Sequence, residues 1–127
     1  MLKTVVEQAI ALLTQGESFV QATILTQSGS APRHAGSRMI VRRNNEIIGS
    51  VGGGALEAKA QQIAKQVFAE QAAVLFEFNL TEQDVAKMGM VCGGQGKILV
   101  DDISAADPAN LAVYQALAEA LRTHARV

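Results

Sequence analysis

Apolar side chains recur along this chain with two periods, and the alternation between them outlines the fold. Val5, Val6, Ala9, Leu12 and Leu13 fall at helical spacing and Gly16 follows as a stop, which predicts an amphipathic helix over residues 3–15. Phe19 to Gln27 is rich in β-branched and apolar residues and runs into Ser28-Gly29-Ser30-Ala31-Pro32, a strand followed by a loop. Arg38–Arg43 and Glu46–Val51 flank Asn44-Asn45, and because Asn tolerates positive φ the pair predicts a two-residue hairpin. Leu56, Ala60, Ile63 and Val67 mark the buried stripe of a helix over residues 55–69, and Val74–Phe78 is the next strand. Strand, helix and strand in that order predict a right-handed parallel crossover. Thr81 with Asp84 carries a capping signature, so a short helix is expected over residues 81–87. Lys97–Ile103 is the last strand, and Leu111, Tyr114, Leu117 and Leu121 mark a closing helix after Pro108. The order αβββαβ(α)βα predicts a single α/β domain: a mixed sheet of about five strands with helices packed on it.

Length and composition agree with one domain. At 127 residues the chain can bury a core without disulfide or metal staples, and its 49% apolar and 18% charged residues are those of a globular protein. Tryptophan is absent and aromatics make up only 4%, so Val, Ile, Leu and Ala must build the core. No apolar run is long enough to span a bilayer, and the N-terminus lacks a basic region followed by an apolar one. A single cysteine forms no internal disulfide, so a reducing cytoplasm is the expected setting. A net charge of −1 argues against nucleic acid as partner. Even so, Arg33, His34, Arg38, Arg42 and Arg43 gather around Gly36. Arg42 and Arg43 fit a solvated strand face as well as a binding role, whereas Arg33 follows a turn and belongs at a loop tip.

Of the 11 glycines, eight lie in two stretches: Gly49-Ser50-Val51-Gly52-Gly53-Gly54 and Met88-Gly89-Met90-Val91-Cys92-Gly93-Gly94-Gln95-Gly96. Fixing glycine costs entropy, so such crowding signals unusual backbone conformations or a ligand close to the main chain. The triple glycine opens a helix, whose first N–H groups are unpaired at the positive end of the dipole, a ready anion site. It is neither a dinucleotide fingerprint nor a Walker loop, and a tight turn without ligand remains the alternative. Glu57, in the first helical turn, fits the helix dipole better than a catalytic role. Cys92 lies in a glycine-rich loop where freed N–H groups would stabilise a thiolate, although a lone cysteine is most often a small buried hydrophobe. One Cys with His34 and His124 gives no zinc spacing, and no nucleophile elbow is present.

Four ordered blocks carry a family resemblance: Ser28-Gly29-Ser30-Ala31-Pro32-Arg33, Gly36-Ser37-Arg38-Met39, Gly49-Ser50-Val51-Gly52-Gly53-Gly54 with Leu56-Glu57, and Gly89-Met90-Val91-Cys92-Gly93-Gly94. In order and spacing they resemble the N-terminal domain of the XdhC/CoxI family, over roughly residues 5–103. These are accessory proteins of molybdenum hydroxylases such as xanthine dehydrogenase and carbon monoxide dehydrogenase. The resemblance implies a maturation factor that binds molybdenum cofactor (molybdopterin), holds it while a sulfido ligand is installed, and delivers it to the apo-enzyme. The cofactor-binding residues it leads one to expect are Ser30, Arg33, Gly52, Gly53, Gly54, Glu57, Cys92, Gly93 and Gly94, with Cys92 near the molybdenum or its sulfur and no catalytic residue. A molybdenum hydroxylase apo-enzyme, a sulfurtransferase or a separate Rossmann-domain chain, and a second copy of the chain in a homodimer are the partners it implies, with neither nucleic acid nor membrane.

Two departures bear on that expectation. Family members often carry Cys directly after the triple glycine, where this chain has Ala55, which questions the sulfuration step. Longer members also continue into a Rossmann-type domain, which is not expected in a chain ending at Val127. The rivals are a small thiol-dependent enzyme or redox protein using Cys92, and a cofactor-free regulatory adaptor of a molybdoenzyme.

Overall fold

A computed structural model describes residues 2–28, 36–51, 54–80 and 94–123. In chain order the elements are α1 (Leu2–Thr14), β1 (Phe19–Ser28), β2 (Arg38–Val41), β3 (Ile47–Gly49), α2 (Gly54–Glu70), β4 (Val74–Leu80), β5 (Gly94–Ile103) and α3 (Pro108–Thr123). The expected α/β architecture is present: one five-stranded sheet, in the order β3-β2-β1-β5-β4, with helices on both faces.

The alternation in β1 assigns those faces. Val20, Ala22 and Ile24 point one way and join Met39, Val41, Ile98 and Val100 under the Leu56–Ala60–Ala64–Val67 stripe of α2. Phe19 points the other way and, with Ile40 and Ile103, meets Val5, Val6, Ala9, Leu12 and Leu13 of α1 and Tyr114 of α3. The α1 stripe is the one expected from its spacing. Fully burying one such aliphatic side chain is worth about 1.5–3 kcal/mol, so the two clusters supply most of the driving force. Gly16 ends α1 with φ of 84°, and the Glu17 amide donates back to the Leu12 carbonyl at 2.8 Å.

The sheet departs from the mixed pattern expected of it: every neighbouring pair is antiparallel. β3 and β4, joined through α2, do run the same way, but they lie at opposite edges with three strands between them and never pair. The parallel expectation assumed that strands linked by a crossover become neighbours. β5 takes the place beside β1 instead, with a long register from Phe19↔Ile103 to Ser28↔Gln95. The hairpin is confirmed with a longer loop. Arg42 and Glu46 close it, the Asn45 amide donates to the Arg42 carbonyl at 2.8 Å, and Asn45 alone has positive φ, 74°. That is a type I turn followed by a left-handed residue; the two-residue form would need positive φ at both asparagines. The short helix expected over residues 81–87 lies outside the described residues.

The face under α1 and α3 is less uniformly apolar than the other. Its register sets Gln21 beside Asp101 in one row and Thr23 beside Arg38 in the next. Burial pushes the Asp101 carboxyl up from its usual range, with Arg38 pulling against it. Burial likewise raises the Tyr114 hydroxyl, again opposed by Arg38. Among the described residues, no helix is long and apolar enough to cross a membrane.

At the hairpin end of the sheet, Arg42 grips Glu17 through two bonds, Nε to Oε2 at 2.7 Å and the second to Oε1 at 2.9 Å. Hydrogen bonding from Arg42 holds the Glu17 carboxyl below its ordinary 4.5. A depressed carboxyl stabilises the fold above its unfolded value and loses that contribution as pH falls through the folded one. Glu17→Gln should therefore lower the denaturation midpoint at neutral pH, with the gap to the parent closing well below 4.5; a gap independent of pH would contradict the ion pair.

Gly49, the last residue of β3, has φ of 88°, and a Cβ there would sit 2.6 Å from Val5 Cγ2 and 2.7 Å from the Arg38 carbonyl oxygen. Gly49→Ala should cost about 1–2 kcal/mol for the backbone and about 1–3 kcal/mol more for overpacking, read by denaturant unfolding. A change below about 0.5 kcal/mol, the ordinary surface range, would contradict this packing.

Candidate functional site

Antiparallel pairing brings the ends of the glycine-bearing segments together. β1 ends at Ser28, opposite Gln95 near the start of β5, and β4 ends at Leu80, opposite Gly94. On the other side of β1, the Gly36 amide donates to the Ile24 carbonyl at 2.7 Å just before β2 begins, and Gly49 closes β3 opposite Met39. The flanks of residues 29–35, 52–53 and 81–93 therefore all emerge at one end of the sheet, opposite the Glu17–Arg42 end. The first turn of α2 stands there too, because α2 runs back from it toward the hairpin: Gln61 Nε2 donates to the Asn45 carbonyl at 3.0 Å, and Arg43 lies 4.7 Å over the Phe68 ring.

Of the expected site residues, three are described. Gly54 opens α2 and is exposed; Gly94 opens β5 rather than lying in a loop; Glu57 is half-buried in the first turn of α2. Ser30, Arg33, Gly52, Gly53, Cys92 and Gly93 lie outside the described residues. Glu57 accepts a hydrogen bond from Ser50, whose Oγ lies 2.5 Å from Oε2. This bond closes the seven-residue step from the end of β3 into α2 and fixes the two flanks of Gly52-Gly53 relative to each other. A carboxylate near a helix N-terminus also favours the helix dipole, as expected from sequence. Ser50 as its partner was not anticipated; the two residues belong to the same sequence block, which was the available signal.

Arg42 and Arg43 are engaged elsewhere, Arg42 with Glu17 and Arg43 with Phe68, so neither serves this end of the sheet. Two clefts formed by described residues also lie apart from it. One of about 440 Å³ follows the α1–α3 seam between Lys3, Glu7 and Leu121, and a shallow one of about 610 Å³ lies beside Glu17 and Arg42. Among the described residues no group of His, Cys, Asp and Glu is arranged to hold a metal ion. Among the described residues, this end of the sheet presents the N-terminus of α2, a position that favours anions, with Ser50 and Glu57 beside it.

Comparison with known proteins identifies the family. The sequence profile of the XdhC and CoxI family matches residues 12–79, more than half of the chain. This chain belongs to the XdhC and CoxI family. The uncharacterized protein YqeB of Escherichia coli (strain K12) is 31% identical over 93 residues, covering 73% of this chain and 17% of YqeB. A protein of Bacillus subtilis (strain 168) named as a probable xanthine dehydrogenase subunit is 32% identical over 90 residues, covering 71% of this chain and 27% of that protein. The crystal structure of a xanthine dehydrogenase from Bacillus halodurans shares the fold, with a TM-score of 0.69 over 93% of this chain and 35% of that one, at 21% identity. The chain thus spans between about a sixth and about a third of the length of these relatives.

The Ser50–Glu57 bond yields a direct test. A double-mutant cycle of Ser50→Ala and Glu57→Gln should return a coupling of about 1 kcal/mol, below the range of about 1.5–3 kcal/mol for hydrogen bonds to charged groups because the pair is half-exposed. Coupling below about 0.3 kcal/mol would mean that the two side chains act independently.

Proposed function

We propose that this chain binds the molybdenum cofactor at the glycine-bearing end of its sheet and delivers it to a molybdenum hydroxylase apo-enzyme. The observation that supports the reading is that the described flanks of residues 29–35, 52–53 and 81–93, where the glycine-bearing blocks of the sequence lie, come to one end of the sheet beside the start of α2. Membership of the XdhC and CoxI family, and a relative named as a probable xanthine dehydrogenase subunit, supply the molybdenum hydroxylase. The donor set agrees with such a ligand: helix N–H groups at Gly54 suit a phosphate, and glycines allow it to reach the main chain. In this reading Gly52, Gly53 and Gly54 receive the phosphate together with Arg33 and Ser30. Cys92, with Gly93 and Gly94, stands at the sulfur-bearing end, and Glu57 positions the α2 flank through Ser50. The chain is then a cofactor carrier with no turnover chemistry of its own, and a sulfurtransferase and a second copy of the chain are further partners the reading calls for.

Titration of the purified chain with molybdopterin, and separately with inorganic phosphate, tests this. Gly53→Ala should weaken both ligands in folded protein, Cys92→Ser should weaken the cofactor far more than phosphate, and Arg43→Ala should change neither. Affinities within about twofold of the parent, roughly 0.4 kcal/mol, for both Gly53→Ala and Cys92→Ser would remove this end of the sheet as the binding site. Thiol-dependent turnover without cofactor binding would instead favour an enzyme using Cys92.

A further inference from the structure

The two edges of the sheet are finished differently. β3, at one edge, is three residues long and ends at Gly49 with φ of 88°. β4, at the other, runs for seven residues in an unbroken register against β5, and no strand among the described residues pairs with its outer side. An edge strand presents a row of unpaired N–H and C=O groups, and proteins usually blunt it with shortness, proline, a bulge or lysine. β4 has none of these. Its side chains also read as those of an interior strand. Val74, Phe76 and Phe78 face the core under α2, yet Val74 and Phe76 are only partly buried there. On the opposite face Leu75, beside Leu99, is 54% exposed. Apolar side chains on both faces suit a strand that is covered on both faces, which this last strand of the sheet is not.

We propose that β4 pairs antiparallel with β4 of a second copy of this chain about a two-fold axis, joining the two sheets into one. Extended backbone is self-complementary in that arrangement, because the donors of each edge meet the acceptors of the other. Charge permits the pairing and sets its register. Glu77, the charged residue of β4, has Lys97 at 3.8 Å on its own sheet, so it brings a compensated charge, and a formal net charge of −1 leaves two copies little to repel. Centring the axis on Glu77 would set like charges directly opposite, which destabilises a pair. Centring it on Phe76 sets that ring against its counterpart, Val74 against Phe78 and Leu75 against Glu77, with every pair inside β4. The aromatic and aliphatic pairs then cover what α2 leaves open on one face, and the Glu77 stem covers Leu75 on the other. This pairing supplies the surface for the second copy that the cofactor-carrier reading calls for. It is measured without cofactor, so either can fail alone.

Sedimentation velocity on the whole chain should show a dimer that dissociates on dilution. Leu75→Glu sets a like charge against Glu77 of the other copy, twice per dimer, and should weaken association by on the order of tenfold, about 1.4 kcal/mol. Leu75→Lys sets the opposite charge there and should stay within about threefold of the parent. A parent that is monomeric at every concentration, or a dimer that both substitutions weaken equally, would overturn the proposal. Hydrogen exchange on the parent needs no variant to fold: β4 amides should lose protection on dilution while those of β3 do not. Protection of β4 that is indifferent to dilution, as when the chain covers its own edge, would overturn the proposal as well.

Discussion

The pairing of β1 with both β2 and β5 is the constraint on which everything else rests. It is the central strand, antiparallel to each neighbour, and its two-residue period sorts the protein into two cores. Val20, Ala22 and Ile24 serve α2, while Phe19 serves α1 and α3. A one-residue slip would exchange the two sets, bringing Gln21 and Thr23 under α2 and Ala22 under Tyr114. The irregularity between Ile24 and Thr26, where the register to β5 shifts, falls after Ile24, the last buried residue described in β1, and before the row in which β4 contributes the buried Phe78. There, Leu25 is already 45% exposed. The register from Phe19 to Ile24 is unbroken, and pairing resumes after the shift through Thr26, Gln27 and Ser28.

The glycine-bearing end of the sheet follows from pairing rather than from any single motif. With the β2–β3 hairpin at one end, β1, β3 and β4 all run out at the opposite end, toward residues 29–35, 52–53 and 81–93, while α2 returns to β4 at the hairpin end. The hairpin end is closed by short-range chemistry: the Asn45 turn, the Glu17–Arg42 pair, and Ser18 Oγ accepting from the Ala105 amide at 2.8 Å. The opposite end is tied by the Ser50–Glu57 bond between the end of β3 and α2, and the glycine-bearing blocks of the sequence continue from it.

Much of the scaffold was legible in the sequence because its signals are periodic. The α1 stripe, the α2 helix and the strands from Phe19, Arg38, Val74 and Lys97 all rest on spacing that survives into the structure. What escaped was non-local. Nothing in Val74–Phe78 announces that β5 will come between it and β1, so the parallel crossover was expected and the antiparallel sheet formed. The hairpin was read from Asn44-Asn45, but which asparagine turns left-handed depends on how Arg42 and Glu46 close the ladder. The polar layer was equally hidden. Gln21, Thr23, Arg38 and Asp101 each look like ordinary strand positions, and only the register gathers them. For the site, the glycine blocks and Glu57 were readable as motifs, while the Ser50 partner of Glu57 needed the turn of the chain between β3 and α2.

The two halves of the molecule meet at Gly49. Its φ of 88° ends β3, its α-carbon faces Val5 of α1 and the Arg38 carbonyl of β2, and Ser50 beside it reaches Glu57 of α2. Arg38 in turn belongs to the buried polar layer that holds Tyr114. The exit from β3 is thus held on one side by the seat of Gly49 against Val5 and Arg38, and on the other by the Ser50–Glu57 bond to α2.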